Sequence, residues 1–193
     1  MDDANQEIDM SVFPSIPLAS PHSDALLAIE ERIEILRLYT STAHNFFGHH
    51  GQPAGVSPVV EVPSVECVAG RGLRGDRFFD YKDNYKGQIT FFAWEVYADI
   101  SNLLGIHDRH PSVFRRNVIT RGRDLNTLIG QEFVIQGTLF QGMSECSPCY
   151  WMDTAFGPGA EEALRGRGGL RARILSNGIL QSEAAVVLFD GLV

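Results

Sequence analysis

The stretch "SECSPCYWMD", residues 144–153, sets two cysteines three positions apart, with Pro148 directly before the second. Thiolates act as nucleophiles, disulfide partners and soft metal ligands, so this C-x-x-C admits a redox pair, half of a zinc site or the seat of one activated thiolate. Tetrahedral zinc needs two further ligands, and although Cys67, His44, His49 and His50 are available, none shows paired ligand spacing. A thioredoxin-type pair opens a helix after the first strand of a βαβ unit, whereas this pair lies late in a strand-rich chain. For the third reading, Ser147 is predicted to cap a helical turn, Pro148 to take its first position and Cys149 its second. Unpaired backbone N–H groups and the helix dipole stabilise a thiolate there. Cys149 is then the reactive sulfur, and Cys146 a partner behind it, a resolving thiol or packing. Cys67, in the strand-like run "VVEVPSVECVA", reads as a core thiol.

Charge is the second source of chemistry. The net charge of −8 argues against long-range attraction to nucleic acid or an anionic membrane. Yet residues 109–123, "RHPSVFRRNVITRGR", carry five arginines and no acid, and residues 165–173, "RGRGGLRAR", carry four more. Such clustering in an acidic chain predicts a local anion site, with a phosphate-bearing small ligand as the natural guest of planar guanidinium groups. The competing reading is a set of solvated arginines on exposed loops. "GRGLRG", residues 70–75, satisfies G-x-G-x-x-G, but "DRFFDYKDNYKG" after it has no helical register, so a tight turn presenting backbone amides and the Asp76-Arg77 pair is favoured over a dinucleotide fingerprint. "HNFFGHHG" gathers His44, His49 and His50 at a spacing unusual for metals, so structural or substrate-side loop histidines are favoured over a metal site, and with its aromatics and glycines the loop can form a pocket wall.

These groups must be positioned by a chain of 193 residues, 44% hydrophobic and 21% charged, with no apolar run of membrane-spanning length. Residues 1–22, with Pro14, Pro17 and Pro21, read as an N-terminal arm, and residues 23–193 as one domain. The acidic start lacks a secretory pattern, so a cytoplasmic protein is expected. A short helix is predicted at "SDALLAIEER". Period-two or β-branched runs then predict about eight strands: "IEILRLYTS", "VVEVPSVECVA", "GQITFFA", "FRRNVITRG", "EFVIQG", "TLFQGM", "LRARILSN" and "AAVVLF". Helices are predicted at "AWEVYADISNLLG" and at "PGAEEALRG", and a short turn at "DLNTLIG". Strands joined by short turns point to a mainly antiparallel barrel.

The succession "GRGLRGDRF", "KGQITFFAWE", "FRRNVITRGRDLNTLIGQEFVIQGTLFQGMSECSPC" and "ALRGRGGLRARIL" resembles the MOSC domain, named for the C-terminal part of molybdenum cofactor sulfurase, over roughly residues 33 to 180. The resemblance implies a mainly β protein with few helices, built as a closed β-barrel of the pyruvate-kinase barrel-like type. It implies the molybdenum cofactor (molybdopterin) as ligand, with pyridoxal phosphate not expected, and reduction of N-hydroxylated compounds as the activity. The alternatives are a sulfur carrier using a Cys149 persulfide and a non-catalytic cofactor-binding protein. By the same resemblance Cys149 ligates molybdenum and Arg115, Asn117, Gly75 and Asp76 bind the cofactor. Gln88 falls in the family's segment leading into the helix, and Arg167 and Arg171 join the set from the second arginine segment. Cys146, Asp153 and His44 are candidate neighbours of the metal, the latter two as proton donors. No flavin or iron–sulfur motif is present, so a separate electron-donor reductase is the expected partner, or a sulfur donor for the carrier; a homodimer is compatible with the sequence. Ser182-Glu183 stand where the family has a closing Gly-Asp, and the histidine loop marks a subgroup with its own pocket.

Overall fold

The computed structural model describes residues 33–45 and 53–183. The arm, the first predicted helix, His49, His50 and "AAVVLF" lie outside them. The described chain runs β1 (Glu34–Thr40), β2 (Val60–Val62), β3 (Ser64–Val68), β4 (Gly72–Leu73), β5 (Ile89–Ala93), α1 (Trp94–Leu104), β6 (Val118–Arg121), β7 (Glu132–Ile135), β8 (Thr138–Glu145), α2 (Trp151–Ala155), α3 (Ala160–Ala163), β9 (Leu170–Ile174) and β10 (Gly178–Gln181). No helix among these residues is long and apolar enough to cross a membrane.

Strand order in the main sheet is β2-β1-β6-β5-β9-β8-β7, and β10-β3-β4 form a second, smaller sheet. The expected closed barrel is therefore corrected: both sheets are open, and the main one is mixed. Closure would require β2 to pair with β7, but β2 is three residues long and is followed by Pro63, which has no N–H to continue a ladder. Beyond Pro63 the chain leaves for the second sheet, where β3 pairs with β10 and β4. That sheet lays Val65, Cys67, Leu73 and Leu180 over the same core as Ile35, Leu38, Phe91, Phe133 and Phe140, so apolar burial is completed by covering the main sheet. Cys67 is wholly buried, and burial pushes its thiol up to about 12.

All five residues of β5 are buried because the strand has core on both faces. Phe91 enters the core shared with the small sheet, while Phe92 packs with Ile100, Phe114, Ile119, Phe156 and Leu164 under the helices. Helix α1 follows β5 directly and returns the chain to β6, making β5/β6 a parallel pair in an otherwise antiparallel sheet. The predicted strand at "FRRNVITRG" is shorter than expected. Phe114 closes a 3-10 turn (Pro111–Phe114), Arg115 takes a left-handed φ of 56°, and the ladder begins only at Val118. The two arginines thus stand at the mouth of β6.

Close backbone approach makes one glycine indispensable. A Cβ at Gly142, in the irregular stretch of β8, would lie 2.0 Å from the Leu128 carbonyl oxygen. Gly142→Ala should destabilise the fold by about 3 kcal/mol, the upper range for overpacking, because the obstacle is backbone. The midpoint of urea unfolding measures it.

Candidate functional site

The loop before β6, the loop after β8 and strand β9 meet in a cleft of about 180 Å³, lined by His44, Arg77, Phe114, Arg115, Arg116, Ser147, Pro148, Cys149, Trp151, Met152 and Arg171. It continues past His44 and Arg77 towards Phe78 and Tyr81, and past Arg115 and Trp151 towards Asn45 and Ser57. Four guanidinium groups and an exposed thiol therefore share one surface.

Each arginine is held differently. Arg116 donates to the carbonyls of Phe114, Gly168 and Cys146 at 2.7–3.1 Å, tying the β6 mouth to the cysteine loop and to the start of β9. Arg115 reaches back over the β1 end, donating to Ser41 Oγ and the Ala43 carbonyl, both at 2.9 Å. Arg77 lies over the Phe78 ring at 4.8 Å and 3.5 Å from Asp76 Oδ2, and Arg171 donates to the Glu145 carbonyl at 3.0 Å. The Nε atoms of Arg77 and Arg115 are buried without a hydrogen-bond partner among the described residues. Burial, and then Arg77, pulls the Arg115 pKa down to about 10, with Asp76 opposing. Burial likewise lowers that of Arg77. A cleft that strains its own cations in this way favours an anion as guest.

Asp76 is the carboxylate behind these cations. Gly75, with φ 83°, turns the chain so that Asp76 points inward, where it accepts from the amides of Ser41 and Phe78, each at 3.1 Å, and from Asn117 Nδ2 at 3.2 Å. Asn117 is buried too. Its Oδ1 accepts from the Thr90 amide and hydroxyl, and its Nδ2 also donates to the Tyr39 carbonyl. Both ends of its amide are thus used within the fold, and it fixes β1, β5 and β6 behind the cleft. Gln88 is similarly placed, bonding the Gly70 carbonyl and the Ile174 amide.

The other sequence candidates divide. Arg171 and His44 line the cleft, whereas Arg167 lies outside its lining and donates to the Ala163 carbonyl and to Asp99. Asp153 also lies outside the lining and accepts from the Glu161 amide at 2.7 Å, anchoring α3. Arg77 and Arg116 carry as much of the cleft as Arg115 does; the doublet "RR" was the signal for the latter, and the Asp76-Arg77 pair for the former. Of the two arginine segments, only Arg115, Arg116 and Arg171 reach the cleft; Arg121 instead pairs with Glu34 and Glu183, and Arg165 with Glu162.

The cysteines are unequal, though not through a helix start. Helix α2 begins at Trp151 with Tyr150 before it and no side-chain cap, so Ser147 caps nothing and Cys149 precedes the helix, its carbonyl accepting from the Met152 amide at 2.8 Å. Five residues make too short a helix for a useful dipole. Cys149 is exposed at the cleft while Cys146 is buried, with its carbonyl taken by Arg116. Among the described residues no three His, Cys, Asp or Glu side chains converge as a metal site, which leaves the zinc reading without a donor set there.

His44 supplies a pH handle. Burial, then Arg77 and Arg115, lower its pKa from the usual 6.5, with Asp76 opposing. The unfolded chain then takes up the proton first, so stability present above about pH 6.5 declines as pH falls through that value towards the lower folded pKa. Because the ring is half-exposed and screened, the slope should stay well under about 1.4 kcal/mol per pH unit. His44→Gln should flatten the difference in urea midpoint between about pH 7.5 and about pH 5.5.

The sequence of residues 48–187 matches the family model described as the MOSC domain. No curated protein matches the chain in sequence. Among solved structures the chain is similar to the YuaD protein of Bacillus subtilis, at 16% identity, 78% coverage of this chain, 92% of that one and a TM-score of 0.61. It is also similar to YiiM of Geobacillus stearothermophilus, at 15% identity, 77% and 71% coverage and a TM-score of 0.55. At these identities the likeness is one of fold.

Proposed function

Because the chain belongs to the MOSC domain family, which is associated with binding of the molybdenum cofactor, we propose that its arginine cleft holds that cofactor's phosphate and that Cys149 ligates the molybdenum. The observation that carries this reading is the convergence of Arg77, Arg115, Arg116 and Arg171 beside an exposed thiol, with two buried guanidinium Nε atoms lacking a partner among the described residues. Guanidinium donors suit phosphate, and a thiolate is a soft ligand for a metal held at its edge. When bound, the cofactor supplies two-electron redox chemistry.

The chain's residues have separate tasks. Arg77, Arg115 and Arg171 bind and orient the anion, and Arg116 keeps the cysteine loop against the β6 mouth. Asp76, Asn117 and Gln88 act as positioning residues, holding the cationic loops at fixed spacing. The reaction we assign is reduction of an N-hydroxylated compound: the N–O bond takes two electrons and two protons, and the oxygen leaves as water. A separate reductase supplies the electrons. His44, on the cleft wall, is assigned to relay a proton rather than store one, because burial, Arg77 and Arg115 disfavour its charged form.

The exposure of Cys149 supports a second reading, in which it carries a persulfide and hands sulfane sulfur to a partner. Metal and mass analysis of protein from a cofactor-competent host separates the two. The enzyme reading expects near-stoichiometric molybdenum and turnover of an N-hydroxylated probe such as benzamidoxime with a chemical reductant. Molybdenum without turnover would indicate a cofactor-binding protein, and no molybdenum with a one-sulfur mass gain on Cys149 would indicate the carrier.

A further inference from the structure

A second cavity lies apart from the arginine cleft. It encloses about 400 Å³ and is lined by Ala93, Glu95, Val96, Gly122 to Asn126, Arg167 and Gly169. The arginine cleft sits where the chain enters β6, at Phe114 to Arg116, whereas this cavity sits where it leaves, at Gly122 to Asn126. A four-residue strand of ~13 Å separates the two. The cavity also borders the end of β5 at Ala93, so it lies at the carboxyl ends of the parallel pair, the end at which open sheets commonly receive ligands.

Its volume falls within the range of small-molecule sites, and its walls combine an apolar floor with four charges. Val96 and Leu125 supply apolar surface. Arg123 is half-buried, forms no ion pair among the described residues and spends only its Nε, on Thr127 Oγ1 at 3.2 Å. Arg167 spends Nε on the Ala163 carbonyl and Nη1 on Asp99. On the same lining, Glu95 uses Oε1 to accept from the Gly122 amide at 2.8 Å, and Asp124 uses Oδ1 for the Asn126 amide at 2.9 Å. Donors remain on both guanidinium groups and an oxygen remains on each carboxylate.

A plain anion in this cavity would meet Glu95 and Asp124, and a plain cation would meet Arg123 and Arg167. A guest carrying both charges on an apolar body satisfies both pairs and covers the floor. We infer that this cavity is a second binding site, separate from the arginine cleft, for a small zwitterion with an apolar body, the chemistry of a free amino acid with a large apolar side chain.

Calorimetry on the full chain with L-phenylalanine as probe tests this. The expected result is saturable one-to-one binding, with 3-phenylpropionate and phenethylamine, each lacking one charge, at least ~10-fold weaker. Arg123→Gln should weaken L-phenylalanine binding at least ~10-fold while leaving inorganic phosphate binding at the arginine cleft unchanged. Val96→Trp should block the cavity, and its phosphate binding reports whether that variant has folded. Equal affinity for all three probes, affinity for L-phenylalanine unaffected by Arg123→Gln, or no binding of L-phenylalanine up to ~10 mM would each overturn the proposal.

Discussion

Cys149→Ser should give a folded protein of unchanged stability that retains no molybdenum. The thiol is exposed and, among the described residues, no hydrogen bond to it connects the cysteine loop to the core, so the stability change should stay within about 0.5 kcal/mol, as for most surface substitutions. The metal is another matter. Serine offers a hard oxygen whose proton is not lost near neutrality, whereas molybdenum on this reading takes a soft thiolate. Even groups that only support a metal ligand cost 10–100-fold when removed, so loss of the ligand should lower occupancy and reductase activity by more than about 100-fold. Cys146→Ser is the control with the opposite pattern. That side chain is buried, so a hydroxyl there should cost about 1–2 kcal/mol of stability and leave the metal in place. Metal analysis beside urea unfolding reads both; a Cys149→Ser protein with full molybdenum would remove this residue from the site.

What the residues alone could disclose followed how local the signal was. The β5 run "ITFFA" and the amphipathic stretch after it are continuous patterns, and both elements form where the pattern ends. The same holds for Cys67, whose neighbours alternate. The barrel was not a local matter. Whether β2 meets β7 depends on where the chain goes after Pro63, and β10, four residues of modest hydrophobicity at "GILQ", exists because β3 offers it a partner.

The site was legible in part for the same reason. The C-x-x-C and the arginine clusters announced a thiol and an anion site, but sequence could not say which arginines converge. Arg171 and Arg167 are four apart around the start of β9, yet only Arg171 faces the cleft. The expected helical cap at Ser147 failed because Tyr150 and Trp151 start α2 three residues later, so Cys149 owes its standing to exposure beside four cations. Asn117 shows the limit most plainly: a polar residue in a binding motif, it spends its whole amide on β1, β5 and the Asp76 carboxylate and acts through the arginines it positions.

Asp76→Ala should be the most destabilising change in the cleft, and phosphate should partly reverse it. The Asp76 side chain is 1% exposed and lies 3.5 Å from Arg77, itself 11% exposed. Removing it leaves the Ser41 and Phe78 amides without their acceptor and leaves two part-buried guanidinium groups, on Arg77 and Arg115, with no carboxylate behind them. Breaking a buried pair from one side costs about 3–5 kcal/mol, since the remaining charge stays desolvated. If Asp76 served only as a turn residue, the loss would be the same in any buffer. Because it neutralises cations that await an anion, a bound phosphate should substitute for it. A ligand that binds the folded state alone stabilises by an amount set by its concentration over its Kd, and the less compensated cleft of the variant should bind phosphate more tightly. Melting in a chloride buffer and again in ~50 mM phosphate should therefore show a larger upward shift for Asp76→Ala than for the wild type. An equal shift in both proteins would mean that Asp76 and the anion site are energetically independent, and that the arginines bind their guest without help from the carboxylate behind them.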